Sequence, residues 1–246
     1  MITETDETQQ IRDRKALIVH YRQQNEVAMA VEVFRGLLDY VKTTRHAKDI
    51  ETIAASVVEA ALRRSDYEAA APMLAIILDE FPTSSKANLN RVRLGVCQSR
   101  LGEHAAALET NRAFLYHADI NDRVVATGWQ NFAHNLVALS RHDEATTTLE
   151  QMAQHYGGTR LESIAFLQAA EIHRNNNCED GTRKYCALAL VANPPISVQA
   201  RAAHFLKALS PETVAKSLPS NGNESQMTQS ASDSPAALVL DELAGR

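Results

Sequence analysis

A short phrase returns along this chain: a turn, then a small residue, then an apolar run. Copies begin at Asn25 (NEVAMAVEVF), Ser65 (SDYEAAAPML), Gly102 (GEHAAALETN) and Arg141 (RHDEATTTLE). Aligning Ala30, Ala70, Ala107 and Ala145 gives spacings of 40, 37 and 38 residues, and a weaker fifth copy puts Thr182 at the same place 37 residues on. Upstream of each turn lies a second apolar-periodic stretch, such as Leu17, Ile18 and Tyr21 in the first copy and Trp129, Phe132, Ala133 and Leu136 in the fourth. Apolar residues at three- and four-residue intervals predict helices. Two helices around one turn make a hairpin, and a fixed period near 40 residues predicts a stack of hairpins.

The recurring alanine has a packing role. Where helices cross closely, a small side chain lets the backbones approach while bulkier neighbours fill the adjoining grooves. Ser65 with Glu68 and Thr159 with Glu162 have the spacing of capping boxes, and Pro82, Gly157-Gly158 and Pro194-Pro195 punctuate the ends of units. Beyond the fifth unit, Ser197 to Leu209 places Val198, Ala202, Phe205, Leu206 and Leu209 on one face, as a helix capping the last hairpin would. The expected organisation is an extension over 1–10, a helical repeat domain with its cap over 11–209 and a flexible tail over 210–246. Pro211 to Pro235 is too polar to recover its ordering entropy. The island AALVLDEL, Ala236 to Leu243, is long enough for a short helix over 236–243, with Leu238, Leu240 and Leu243 as anchors. Either it is inert or it folds back or docks elsewhere.

Composition supports helices: aromatics at 5%, with seven prolines and nine glycines, argue against a sandwich or barrel built on many turns. A formal net charge of -5 removes the overall basic footprint of a nucleic-acid-binding domain. The start, MITETDETQQ, lacks the basic and apolar regions of a secretory signal, and no run approaches the roughly 18 apolar residues that span a bilayer. The expected location is cytoplasmic. Cys97, Cys178 and Cys186 are odd in number and scattered, which fits reduced thiols in that setting.

These residues resemble the tetratricopeptide repeats, whose pattern is W-x2-L-G-x2-Y, then A-x3-F, then A and P over about 34 residues. Leu94-Gly95, Gly102, His104 and Ala107 carry it in the third copy, and Asp66-Tyr67, Ala70, Leu74 and Pro82 in the second. Leu17, Tyr21, Ala30 and Phe34 carry it in the first, and Trp129, Phe132, Ala133 and Ala145 in the fourth; the likeness runs from Ile11 to Pro195. The units are longer than the family's. Leu37, Ile77, Phe114 and Met152 stand where it has a small residue, and Asn111 replaces a large apolar one. Related longer helical repeats are the alternative. The resemblance implies an all-α, right-handed solenoid of five helix hairpins with a capping helix, whose first helices line a concave groove.

Catalytic and metal patterns are weak. There is no HExxH or His/Cys cluster at ligand spacing, and His104 and His142 occupy the family's aromatic position after the turn, so no metal is expected. In the run Asn175 to Gly181 a calcium-loop register would put Ala187 where the bidentate glutamate belongs. An inter-helix turn explains it better. Gly157-Gly158-Thr159 lacks a Walker lysine and there is no GxSxG elbow, so neither a cofactor nor an enzymatic activity is expected.

Arg12, Lys15, Val19 and Arg22 share one stripe of the first helix, which the resemblance places in the groove. Lys15 is a candidate anion contact, against a solvated basic face as the simpler account. Glu59, Gln130, His134, Glu171 and Arg174 continue the groove stripe. Val19, Val92 and Val96 stand where the family's carboxylate-clamp members carry polar residues, so that clamp is not expected. A mixed polar lining suits a protein or peptide partner better than a polyanion. The expectation is a protein–protein interaction module, an adaptor, assembly factor or chaperone-like binder. The alternative is a regulatory or catalytic protein with a small-molecule site among the repeats.

Overall fold

The computed structural model describes residues 3–115 and 122–209, and of residues 113, 114, 122 and 123 the backbone alone. The expected tail over 210–246, with its anchors Leu238, Leu240 and Leu243, and the Phe114 side chain lie outside the described residues. Among those described there are eleven α-helices, a single 3-10 turn at Ala47–Asp49 and no strand. None of these helices is long and apolar enough to cross a membrane.

The chain forms two compact units. In the first, α1 (Glu4–Gln23) packs on α2 (Val27–Lys42), α3 (Ile50–Leu62) on α4 (Tyr67–Glu80), and α5 (Ala87–Arg100) on α6 (His104–Leu115). Contacts of α2 with α3 and α4, and of α4 with α5, join these pairs. In the second, α7 (Asp122–Ala138) packs on α8 (His142–His155) and α9 (Arg160–Asn175) on α10 (Glu179–Val191). Helix α11 (Ile196–Ala208) lies against both α9 and α10.

All five pairs are joined by one turn. Asn25, Ser65, Gly102, Ser140 and Asn177 hold positive φ, between 56° and 79°, and stand at the periods of the recurring phrase. The next residue in each case (Glu26, Asp66, Glu103, Arg141, Cys178) donates its N–H to the carbonyl five back (Tyr21, Ala61, Gln98, Leu136, His173) at 2.8–3.1 Å. This is the Schellman closure, in which one left-handed residue lets orphaned carbonyls at a helix end find donors. Five residues after the left-handed one comes the small residue: Ala30, Ala70, Ala107, Ala145 and Thr182 are all 0% exposed. Thr182, the weakest match in sequence, obeys the same geometry, its hydroxyl donating to the Cys178 carbonyl at 2.8 Å.

Around these crossings the interior of the first unit is filled by Ile18, Phe34, Leu38, Val41, Val58, Met73 and Leu74. Leu37, Ile77 and Met152, larger than the resemblance predicts, are also buried. Asn111 has a local explanation. It is fully buried, its amide nitrogen donates to the Ala107 carbonyl at 2.9 Å, and a Cβ added to Gly95 would come within 2.6 Å of that nitrogen. The glycine on α5 therefore makes room for the polar residue on α6. A Cβ on Gly181 would likewise come 2.3 Å from the His173 ring, so α10 approaches α9 as closely as a glycine allows.

Three local expectations need correction. Residues 4–10, expected as an extension, are the first turns of α1, because Thr3 and Asp6 make a capping box. Ser65 is not a cap but the left-handed turn residue; Asp66 caps α4, its side chain accepting from the Ala69 N–H at 3.2 Å. Thr159 does cap α9, accepting from the Leu161 N–H, but Glu162 reaches the Gly158 N–H at 2.7 Å instead of the Thr159 N–H, so the reciprocal box is displaced by one residue.

Ala107→Leu is expected to overpack its crossing and cost roughly 1–3 kcal/mol, read as a lowered urea midpoint with intact helical content. Ser140→Gly is expected to do the opposite. A left-handed non-glycine residue costs about 1–2 kcal/mol, and glycine returns some of that as unfolded-state entropy. A net gain of up to about 1 kcal/mol should raise the midpoint.

Candidate interaction surface

On the first helix of each hairpin in the first unit, the side chains expected to meet a ligand mostly meet a neighbouring helix. Arg12 is exposed. Lys15 is half-buried, and its Nζ donates to Ser56 Oγ on α3 at 2.9 Å. That burial lowers the ammonium's pKa, as desolvation disfavours the charged form. Arg22, its side chain only 5% exposed, pairs through Nε with Asp66 Oδ2 at 2.6 Å. Asp66 thus serves twice, capping α4 with one oxygen and holding α1 with the other. Lys15 is accordingly not part of a solvated face.

Glu59 on α3 faces Arg93 on α5, with 3.6 Å between Oε1 and Nη2. Arg93 is buried; that burial lowers its pKa, while the Glu59 carboxylate favours the charge. One turn further on, burial pushes the Cys97 thiol up to about 12, against the pull of Arg93, so it is a poor nucleophile at neutral pH. Val92 and Val96 are buried as well. Lys15, Ser56, Glu59 and Arg93 therefore form a polar row that steps from α1 to α3 to α5.

In the second unit Gln130 is half-buried and His134 exposed, both on α7. The other two expected contacts hold the cap. Glu171 accepts from Arg201 of α11, and the Arg174 guanidinium sits 4.2 Å above the centre of the buried Phe205 ring. Sequence reasoning missed Ser56, Asp66, Arg93 and Arg201, the partners that decide these roles. The one advance signal was Arg93, a charge set between apolar residues in the run RVRLGVC.

Two other features have some of the makings of a site. Tyr185 donates to Glu150 at 2.6 Å, Lys184 lies 3.2 Å from the same phenol, and the His173 ring stacks on Tyr185 at 5.0 Å. Burial raises the Tyr185 pKa, and the tyrosine hydrogen bond lowers that of Glu150. This describes a phenol held protonated beside a carboxylate, not an activated nucleophile. Between α2 and α4 lies a cleft of about 200 Å³ lined by Arg35, Leu38, Asp39, Ile76, Asp79 and Glu80. It is below the size of ordinary small-molecule pockets, and Lys42 already neutralises Glu80 at 2.8 Å. Among the described residues no group of three or more His, Cys, Asp or Glu side chains is placed to hold a metal ion.

No family model matches the chain, and no curated protein matches it significantly.

Glu59→Gln is expected to destabilise the protein by about 1–3 kcal/mol, because it removes the carboxylate facing a buried guanidinium. Combining it with Arg93→Met should recover much of the loss, since the charge that needed compensation is gone. Urea unfolding of both variants checks the pair.

Proposed function

We propose that the protein is a protein–protein interaction module whose hairpins stack in the manner of a tetratricopeptide-like solenoid and present the polar side of their first helices to a protein or peptide. The observation that carries this reading is the row Lys15, Ser56, Glu59 and Arg93, which uses equivalent helices of three successive hairpins. Side chains that knit neighbouring helices hold them in fixed register. A surface fixed in advance binds without the cost of ordering itself.

Residues beside the row supply the contacts. Arg12 is exposed one turn before Lys15, and Thr52 is exposed one turn before Ser56 on the same face of α3. The Glu59 side chain, although it faces Arg93, is still 37% exposed. A cation on α1, a hydroxyl and a carboxylate on α3 suit a partner that carries both charges and backbone amides, such as an extended peptide or a helix laid across the face. A polyanion would need a run of lysines and arginines. An adaptor, assembly factor or chaperone-like binder works through such a surface.

The test is quantitative affinity purification with the full chain and with Arg12→Glu/Thr52→Lys, which reverses the charge on α1 and sets a long cation on α3. Both residues are exposed, so the change should alter stability by no more than about 1 kcal/mol while partner recovery falls severalfold. Equal recovery with the altered protein counts against this face.

A further inference from the structure

The polar row of the first unit has a counterpart in the second that is left incomplete. In the first unit each tie joins a residue ten or six positions before one left-handed turn residue to the residue nine positions before the next: Lys15 to Ser56, and Glu59 to Arg93. In the second unit the same register places Gln168 of α9 opposite Gln130 and His134 of α7, two helices in contact. At the following step Glu171, six positions before its turn residue, accepts from Arg201 of α11. Gln168 breaks the series. Its Oε1 is buried and accepts no hydrogen bond among the described residues.

A buried acceptor left unpaired has lost its hydration and gained nothing in return, so each one in a folded protein calls for an explanation. Gln168 and Gln130 are half-buried as residues and His134 is exposed, so a group laid on this side of α7 and α9 meets all three. Charge does not select that group. Arg201 is held by Glu171, and the Arg174 guanidinium lies over the Phe205 ring, so the row offers carboxamides and a histidine ring with neither a spare cation nor a spare carboxylate. The partner that Gln168 lacks is therefore a neutral donor. A peptide N–H is such a donor, and the neighbouring peptide carbonyl accepts from a carboxamide such as that of Gln130. An extended chain rises about 3.3 Å per residue and packed helices lie about 8–10 Å apart, so three of its residues step from one helix to the next. Only one N–H in such a step points at Gln168.

We propose that Gln168, with Gln130 and His134, is a subsite for the backbone of an extended polypeptide segment, in which Gln168 Oε1 accepts one peptide N–H. Recognition of this kind reads main chain more than side chains and tolerates many sequences. The inference rests on the proposed function in taking a polypeptide as the ligand, and it adds a subsite that is complete within the second unit.

The test starts from peptides of about ten residues selected on the full chain from a random displayed library. Each selected peptide is resynthesised with one backbone nitrogen methylated at a time, which removes a donor and keeps the side chain. Binding is measured to the unmodified protein, to Gln168→Met, which keeps the shape and removes the acceptor, and to Gln168→Glu, which keeps the acceptor. One methylation position should weaken binding about tenfold, the size of one hydrogen bond. Gln168→Met should cause an equal loss, and the two together no more than either alone. Gln168→Glu should stay within about threefold of the unmodified protein. Gln168→Met should also unfold at an unchanged or higher urea concentration, because the free protein loses no bond; a purely structural glutamine would show the reverse. Undiminished binding by Gln168→Met, or failure to select any peptide, would overturn the inference and leave an enclosed water only as the partner of Oε1. Peptides that Gln168→Met still binds and Arg12→Glu/Thr52→Lys loses would overturn this subsite alone and leave the proposed function standing.

Discussion

Each hairpin depends on one backbone constraint, a single residue held in the left-handed region at the end of its first helix. Asn25, Ser65, Gly102, Ser140 and Asn177 allow the last turn to close on itself and reverse the chain within three or four residues. Because the return helix starts at a fixed distance from that point, the residue five positions later always arrives at the crossing. There only a small side chain fits. Asparagine, serine and glycine tolerate the conformation to different degrees, which is why one geometry hides behind five different dipeptides. The small residue shows less variation, alanine four times and threonine once, because it is limited by volume rather than by a dihedral angle.

Between hairpins the chain relies on a different kind of contact. Arg22 with Asp66, Lys15 with Ser56 and Glu59 with Arg93 tie a first helix to the next hairpin through long side chains. Long basic side chains cover apolar surface with their stems while their heads find an acceptor. A partly buried cation with a fixed partner therefore registers neighbouring helices without needing close backbone approach. In the second unit Glu171 and Arg174 do the same work against α11.

This division explains what could be read in the sequence. The helices, their pairing and the crossing alanines are set by neighbours within a few tens of residues and follow from periodicity and spacing alone. Boundaries were legible where a cap is local, as at Thr159, and misread where two residues compete for one role: Ser65 and Asp66 are both good caps, and only the left-handed φ of Ser65 decides between them. The interaction surface was less legible. Helical spacing places Lys15 and Arg22 on one stripe correctly, but whether that stripe meets water, a ligand or a neighbouring helix depends on partners about 40 residues away. No periodic signal announces Ser56 or Asp66. The Gly95–Asn111 pair is a further case: Asn111 looks anomalous alone, and only its juxtaposition with Gly95 shows that the glycine accommodates it.

The repeated turn also bears on how the chain acquires its structure. Nearly every principal contact joins helices adjacent in sequence, or one hairpin to the next, so little loop entropy must be spent before native contacts begin to compensate for it. Chains with such local topology fold on the microsecond-to-millisecond scale. In repeat arrays ordering starts at whichever hairpin closes first and spreads to its neighbours. With the same closure available five times over, no single obligatory nucleus is expected, and a lesion at one turn is expected to slow one route to the native state while leaving others open.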